Sequence, residues 1–118
     1  MRSEELVTRM RESATESLRL AGEVPPTVRA IALGWKIEPD PKDDLGRDGL
    51  RVTWRTYFDS EPTEEDLDFA NDSSDGMVAD IWRHLIWVEH ESRVVPAHEQ
   101  PTPLSIWLFH RNDDIRIA

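Results

Sequence analysis

The chain has 118 residues, no cysteine, and 24 acidic against 14 basic side chains, for a formal charge of −10. That length fits one domain, 1–118, with one modest core. The absence of thiols excludes a disulfide framework, a zinc–thiolate site and a cysteine nucleophile, and the acidic balance disfavours nucleic acid and anionic membrane as direct partners.

Residues 3–21 predict a helix. Ser3 is placed to cap it, and Leu6, Val7, Met10, Ala14, Leu18 and Ala21 recur at helical spacing. Gly22 suits the stop, and Pro25–Pro26 prevent continuation. This opening stretch has no apolar core of a secretory signal, and no run in the chain approaches the roughly 18 to 20 apolar residues of a bilayer span. A cytoplasmic protein is expected.

The stretch VRAIALGWKI then reads as a strand, with Ile31, Leu33, Trp35 and Ile37 on one face and the small residues Ala30, Ala32 and Gly34 on the other. A polar loop over 38–49 leads to LRVTWRTYF. There Leu50, Val52, Trp54 and Phe58 alternate with Arg51, Thr53, Arg55 and Tyr57, the pattern of a sheet with one wet face. A helix is predicted to start at Thr63, whose spacing to Asp66 resembles a capping box. Glu64, Glu65 and Asp66 lie in its first turn, where the helix dipole favours negative charge. Leu67, Ala70, Met77, Val78 and Ile81 offer an inward stripe, while Gly76 and the run NDSSD weaken the middle. Two more strands are predicted, over 85–95 and 104–111, joined by the proline-rich PAHEQPTP. The final NDDIRIA gives no clear pattern. The expected class is α+β, in the order αββαββ, with an antiparallel sheet of about four strands and two helices packed on one face.

Few motifs carry bond chemistry. There is no G-x-S-x-G and no glycine-rich phosphate loop. His84 and His90 share strand parity, and His110 lies on a neighbouring predicted strand. With Glu89 or Glu91 they form the one candidate metal set, but the spacing matches no motif with a known mechanism, so no cofactor is expected. Of the five Trp, Trp35 and Trp54, and with them Trp82, share faces with aliphatic residues and read as core. Trp87 and Trp107 have the opposite parity to their aliphatic neighbours. Their strands are therefore either central, under both helices, or carry a second, exposed apolar face that could anchor a protein contact.

The excess charge is concentrated. Residues 59–80 hold nine carboxylates (Asp59, Glu61, Glu64, Glu65, Asp66, Asp68, Asp72, Asp75 and Asp80) and no Lys or Arg; the rest of the chain is nearly balanced, 15 acids against 14 bases. One reading is a solvated face that serves solubility. The other is a surface shaped for a basic protein, where like charge raises association rates and disfavours wrong partners.

Two stretches, GEVPPTVRA and TYFDSEPTEED, with Ala79–Asp80 further on, resemble small bacterial immunity proteins of contact-dependent inhibition and related polymorphic toxin systems. The matching positions are Gly22, Glu23, Val24, Pro26, Arg29 and Ala30, then Tyr57, Phe58, Asp59, Glu61, Thr63, Glu64, Glu65 and Asp66. The resemblance covers about 22–80. It implies a cytoplasmic antidote, not an enzyme, that binds one cognate toxin C-terminal domain, often a nuclease, and supplies no catalytic residues. Within it Asp59 and Thr63 can cap a turn and a helix, and Arg29 can pair with a carboxylate. The expected partner-binding residues are Asp59, Glu61, Glu64, Glu65, Asp68, Asp72 and Asp75, facing a basic protein surface. Two alternatives stay open: a small metal-dependent enzyme built on His84, His90 and a carboxylate, and an acidic adaptor or chaperone for a basic secreted effector.

Overall fold

A computed structural model describes residues 2–111 of the chain; NDDIRIA lies outside the described residues. The α+β class, the element order and the four-stranded sheet are those expected. Helix α1 (Ser3–Leu20) is followed by strands β1 (Val28–Pro39) and β2 (Asp48–Phe58), helices α2 (Glu64–Asp72) and α3 (Asp75–Ile81), and strands β3 (Leu85–Val94) and β4 (Ile106–His110). The predicted second helix is broken in two, and a short 3-10 turn, Trp82–His84, leads from α3 into β3.

In α1, Leu6, Met10, Ala14 and Leu18 are buried, one per turn, against the sheet. Ser3 is the first helical residue rather than the cap. Arg2 holds the cap position without a side-chain bond, and Ser3 Oγ instead donates to Asp48 at 3.1 Å. The helix ends before Gly22, whose φ of 95° suits a residue without a Cβ. α1 lies against α3, and Gly76 is what permits the approach: a Cβ there would stand 3.0 Å from Ser17 Oγ. Ser17 Oγ donates to the Ser73 carbonyl at 2.6 Å, binding α1 to the break between α2 and α3. The residue that weakens the helical pattern of 63–81 is thus the one that lets two helices touch.

The sheet order is β3-β2-β1-β4. β1 pairs antiparallel with both β2 and β4, but β2 pairs with β3 in parallel. The sheet is therefore mixed, not wholly antiparallel, and the last two strands do not form a hairpin. The cause is the intervening chain. Residues 59–84 cross the helix side of the sheet and return to the same end, as a helical crossover must, so β3 runs with β2. β3 and β4 occupy opposite edges, and residues 95–105 connect them by passing under the other face of the sheet. Eleven extended residues reach about 36 Å, against about 14 Å across three strand spacings.

This strap explains the small residues of β1. Leu104 packs on Gly34, where a Cβ would sit 3.2 Å from the Leu104 Cβ. Val95, Leu104 and Trp107 close over Ala30, Ala32 and Tyr57. Tyr57 donates its hydroxyl to the Thr102 carbonyl. A bulge between Val28 and Ala30 interrupts the strand alternation, and Arg29, fully buried, reaches the strap. Its Nη1 donates to the carbonyls of Val95, Pro96 and Glu99 at 2.9, 2.9 and 2.8 Å. The main core lies on the helix side, around Ile31, Leu33, Val52, Trp54 and Phe58.

The tryptophans divide differently from their sequence parity. Trp54 is in the core and Trp35 is half-buried, but Trp82 is 60% exposed, because the chain leaves α3 at Ile81 and turns outward. Trp107 is half-buried beside Tyr57, with ring centroids 6.0 Å apart. Trp87 is 61% exposed, since β3 is an edge strand and its second face is open.

Candidate partner-binding surface

Helix α2 begins with a complete capping box. Thr63 Oγ1 accepts from the Asp66 amide, and the Asp66 carboxylate accepts from the Thr63 amide, both at 3.1 Å. Asp66 also accepts from Thr27 Oγ1 at 2.9 Å, which fixes the start of α2 to the entrance of β1. The Thr63 amide, above all, holds the Asp66 carboxyl below the usual carboxylate range, with help from both hydroxyls. Phe69 and Ala70 turn inward toward the core. With 3.6 residues per turn, that orientation leaves 64, 65, 68 and 72 on the outer side.

The nine carboxylates therefore separate into two groups. Three are engaged. Asp66 caps α2. Asp80 takes Arg9 at 3.1 Å and the Ser13 hydroxyl, joining α3 to α1, and the Arg9 hydrogen bond foremost lowers its pKa. Asp59 pairs with Arg111 at 3.0 Å. The other six, Glu61, Glu64, Glu65, Asp68, Asp72 and Asp75, are exposed, and none has an ion-pair or side-chain hydrogen-bond partner among the described residues. They follow the outer side of α2 from its approach to the start of α3. Leu67, expected to point inward, borders them at 37% exposure, because the inward direction of this short helix is taken by Asp66, Phe69 and Ala70.

The residues of the metal alternative are dispersed. His90 stands on the helix side of β3, where Nε2 and Ser74 Oγ share a hydrogen bond of 2.5 Å. Partial desolvation there lowers its pKa, with Asp75 opposing. Glu91 lies on the other face, bonded to Arg55 Nε at 2.5 Å. His110 is on the opposite edge strand, and His84 is in the 3-10 turn. Among the described residues no three His, Cys, Asp or Glu side chains gather as a metal set, and no helix is long and apolar enough to cross a membrane.

Sequence reasoning missed the role of Arg29, which clamps the strap through backbone carbonyls. It also missed the fate of Asp59 and Asp80, whose partners lie 52 and 71 residues away in the chain. Residues 44–113, more than half of the chain, match the family described as MafI2 immunity protein. No curated protein matches the chain.

Proposed function

The chain belongs to the MafI2 immunity protein family, and from that premise we propose that it neutralises its cognate toxin by docking the acidic side of α2 onto a basic surface of the toxin domain. The observation that carries this reading is the set of six exposed carboxylates, Glu61, Glu64, Glu65, Asp68, Asp72 and Asp75, which have no ion-pair or side-chain hydrogen-bond partner among the described residues while their three neighbours are used inside the fold. Crowding like charge costs self-repulsion in the free protein and is relieved when cations arrive. A nuclease presents such cations to bind phosphate, so a nuclease toxin, met in the cytoplasm, is the partner this surface fits best. Inhibition then works by occlusion, with no bond chemistry in the immunity protein and no cofactor.

The test is charge reversal at three positions whose side chains the fold does not use. The Glu65→Lys, Asp68→Lys, Asp72→Lys triple variant is expected to associate with the toxin domain at least tenfold more slowly and with a flatter salt dependence, as electrostatic steering requires. Stopped-flow association at several salt concentrations measures both. An unchanged on-rate would remove the acidic side of α2 as the docking surface.

A further inference from the structure

Helix α2 carries most of the exposed carboxylates, yet little in its own sequence holds it in place. It has nine residues, fewer than the roughly 12 to 15 at which a helix becomes marginally stable alone. Its last turn has no basic residue and ends on Asp72, where the dipole disfavours a carboxylate. Asp66 and Ala70 are its buried residues, with Phe69 half-buried beside them. A helix with so small an apolar footprint depends on bonds at its ends for its position.

At the near end, Thr27 acts twice. Its hydroxyl donates to Asp66 Oδ2 at 2.9 Å, and its carbonyl accepts from the Asp59 amide at 2.9 Å. The run 59–66, which includes Glu61, Glu64 and Glu65, is thus tied at both of its ends to the residue that precedes β1. At the far end, Ser17 Oγ holds the Ser73 carbonyl, and His90 Nε2 shares a hydrogen bond with Ser74 Oγ. Asp66 Oδ2 also accepts from the Thr63 amide, so the capping box is complete without Thr27. The Thr27 hydroxyl is therefore not what makes α2 a helix. It decides where the start of that helix stands.

We infer that Thr27 is a positioning residue for toxin binding, whose hydroxyl fixes the N-terminal end of α2, and with it Glu61, Glu64 and Glu65, where the toxin meets them. The inference rests on the reading that the acidic side of α2 docks the toxin. Without the hydroxyl, the far end still holds through Ser17 and His90, and the helix pivots there. Displacement is then largest at 61–65 and smallest at Asp72. The number of charges is unchanged, so long-range attraction and the rate of encounter remain. What is lost is pre-organisation. The carboxylates must be brought to their places at the moment of binding, which costs affinity. Charge reversal differs, because it acts on arrival.

The experiment measures association and release of the catalytically inactivated toxin domain encoded with this chain. It compares wild type, Thr27→Val, Thr27→Ser, Glu65→Gln, Asp72→Asn, and the two doubles that combine Thr27→Val with each neutralised acid. Valine keeps the branched shape of this half-buried side chain, and unchanged circular dichroism verifies the helix content. Thr27→Val is expected to raise the dissociation constant about fivefold through faster release, with an on-rate within about twofold of wild type. Thr27→Ser keeps the hydroxyl and is expected to bind as wild type does. A merely structural loss would weaken each double by the product of its single effects. Positioning gives less than the product with Glu65→Gln, a charge that the hydroxyl places, and the full product with Asp72→Asn, at the pivot. Wild-type release in Thr27→Val, or multiplicative effects in both doubles, overturns the inference. If Glu65→Gln and Asp72→Asn bind as tightly as wild type, the acidic docking reading falls and the inference with it. If they weaken binding while Thr27→Val does not, the docking reading stands and the inference alone falls.

Discussion

Thr56 is fully buried in β2, opposite Ile31, and its hydroxyl has no hydrogen-bond partner among the described residues. A buried polar group without a partner costs about 1–3 kcal/mol. Thr56→Val keeps the branched shape and removes the orphan, so the variant is expected to be more stable by about 1 kcal/mol, read as a higher urea midpoint with unchanged slope. Trp54 carries a similar orphan at Nε1. Trp54→Phe is not expected to gain, because the lost ring volume leaves a cavity whose cost is about as large as the relief. Thr63 is the opposite case, a residue whose polar group is fully used. Thr63→Ala removes the cap of α2 and is expected to cost about 1 kcal/mol of stability. The cap position was legible because a Thr three residues before a carboxylate, opening a helical pattern, is a local signal. The orphan hydroxyl was not: alternation puts Thr56 on the apolar face with Val52, Trp54 and Phe58, but nothing in the sequence says that no acceptor stands within its reach.

At the scale of elements, Arg29 makes three of the side-chain bonds that hold the strap 95–105, beside the Tyr57 hydroxyl and the contact of Leu104 with Gly34. Arg29→Leu keeps much of the bulk but leaves the Val95, Pro96 and Glu99 carbonyls without the donor they share. The expected loss is about 3 kcal/mol, and limited proteolysis should cut between 95 and 105 in the variant well before it does so in wild type. Cleavage elsewhere first would mean that the strap is held by the contact of Leu104 with Gly34 rather than by the guanidinium. The alternation of β1 already showed a face of Ala30, Ala32 and Gly34, which calls for something in close contact. It could not show what, because the covering segment has no periodicity and begins at Val95, far along the chain. The direction of β3 was hidden for a related reason. Alternation of period two is identical for a strand read either way, so LIWVEHESRV fits a parallel or an antiparallel neighbour equally. Only the two helices between β2 and β3 decide, and their placement over the sheet is a tertiary fact. The outward set on α2 was accessible, since 64, 65, 68 and 72 fall on one side of any helix that buries 66 and 70.

At the scale of the whole molecule, charge acts twice and in opposite directions. Folding lowers the carboxyl pKa of Asp66 through the Thr63 amide, of Asp80 through Arg9, and of Glu91 through Arg55. A depressed folded pKa stabilises the fold above the ordinary carboxylate range of about 4, and that contribution disappears as pH falls through the lowered values. An acid transition below about pH 4 is therefore expected, and Arg9→Met should move it upward by removing the first cause at Asp80. At neutral pH the opposing term is the −10 net charge, concentrated in residues 59–80. Raising salt from about 0.01 M to about 1 M shortens the screening length from about 30 Å to about 3 Å. Screening weakens repulsion among the six exposed carboxylates of residues 61–75 more than it weakens Arg29 or the α2 cap, which are buried or short-range. The free protein is thus expected to melt at a higher temperature in salt, while its association with the toxin slows over the same range. A stabilising effect of salt that persists in the Glu65→Lys, Asp68→Lys, Asp72→Lys variant would place the repulsion elsewhere. Its disappearance there, together with the loss of salt-dependent association, would locate both effects on one side of one helix.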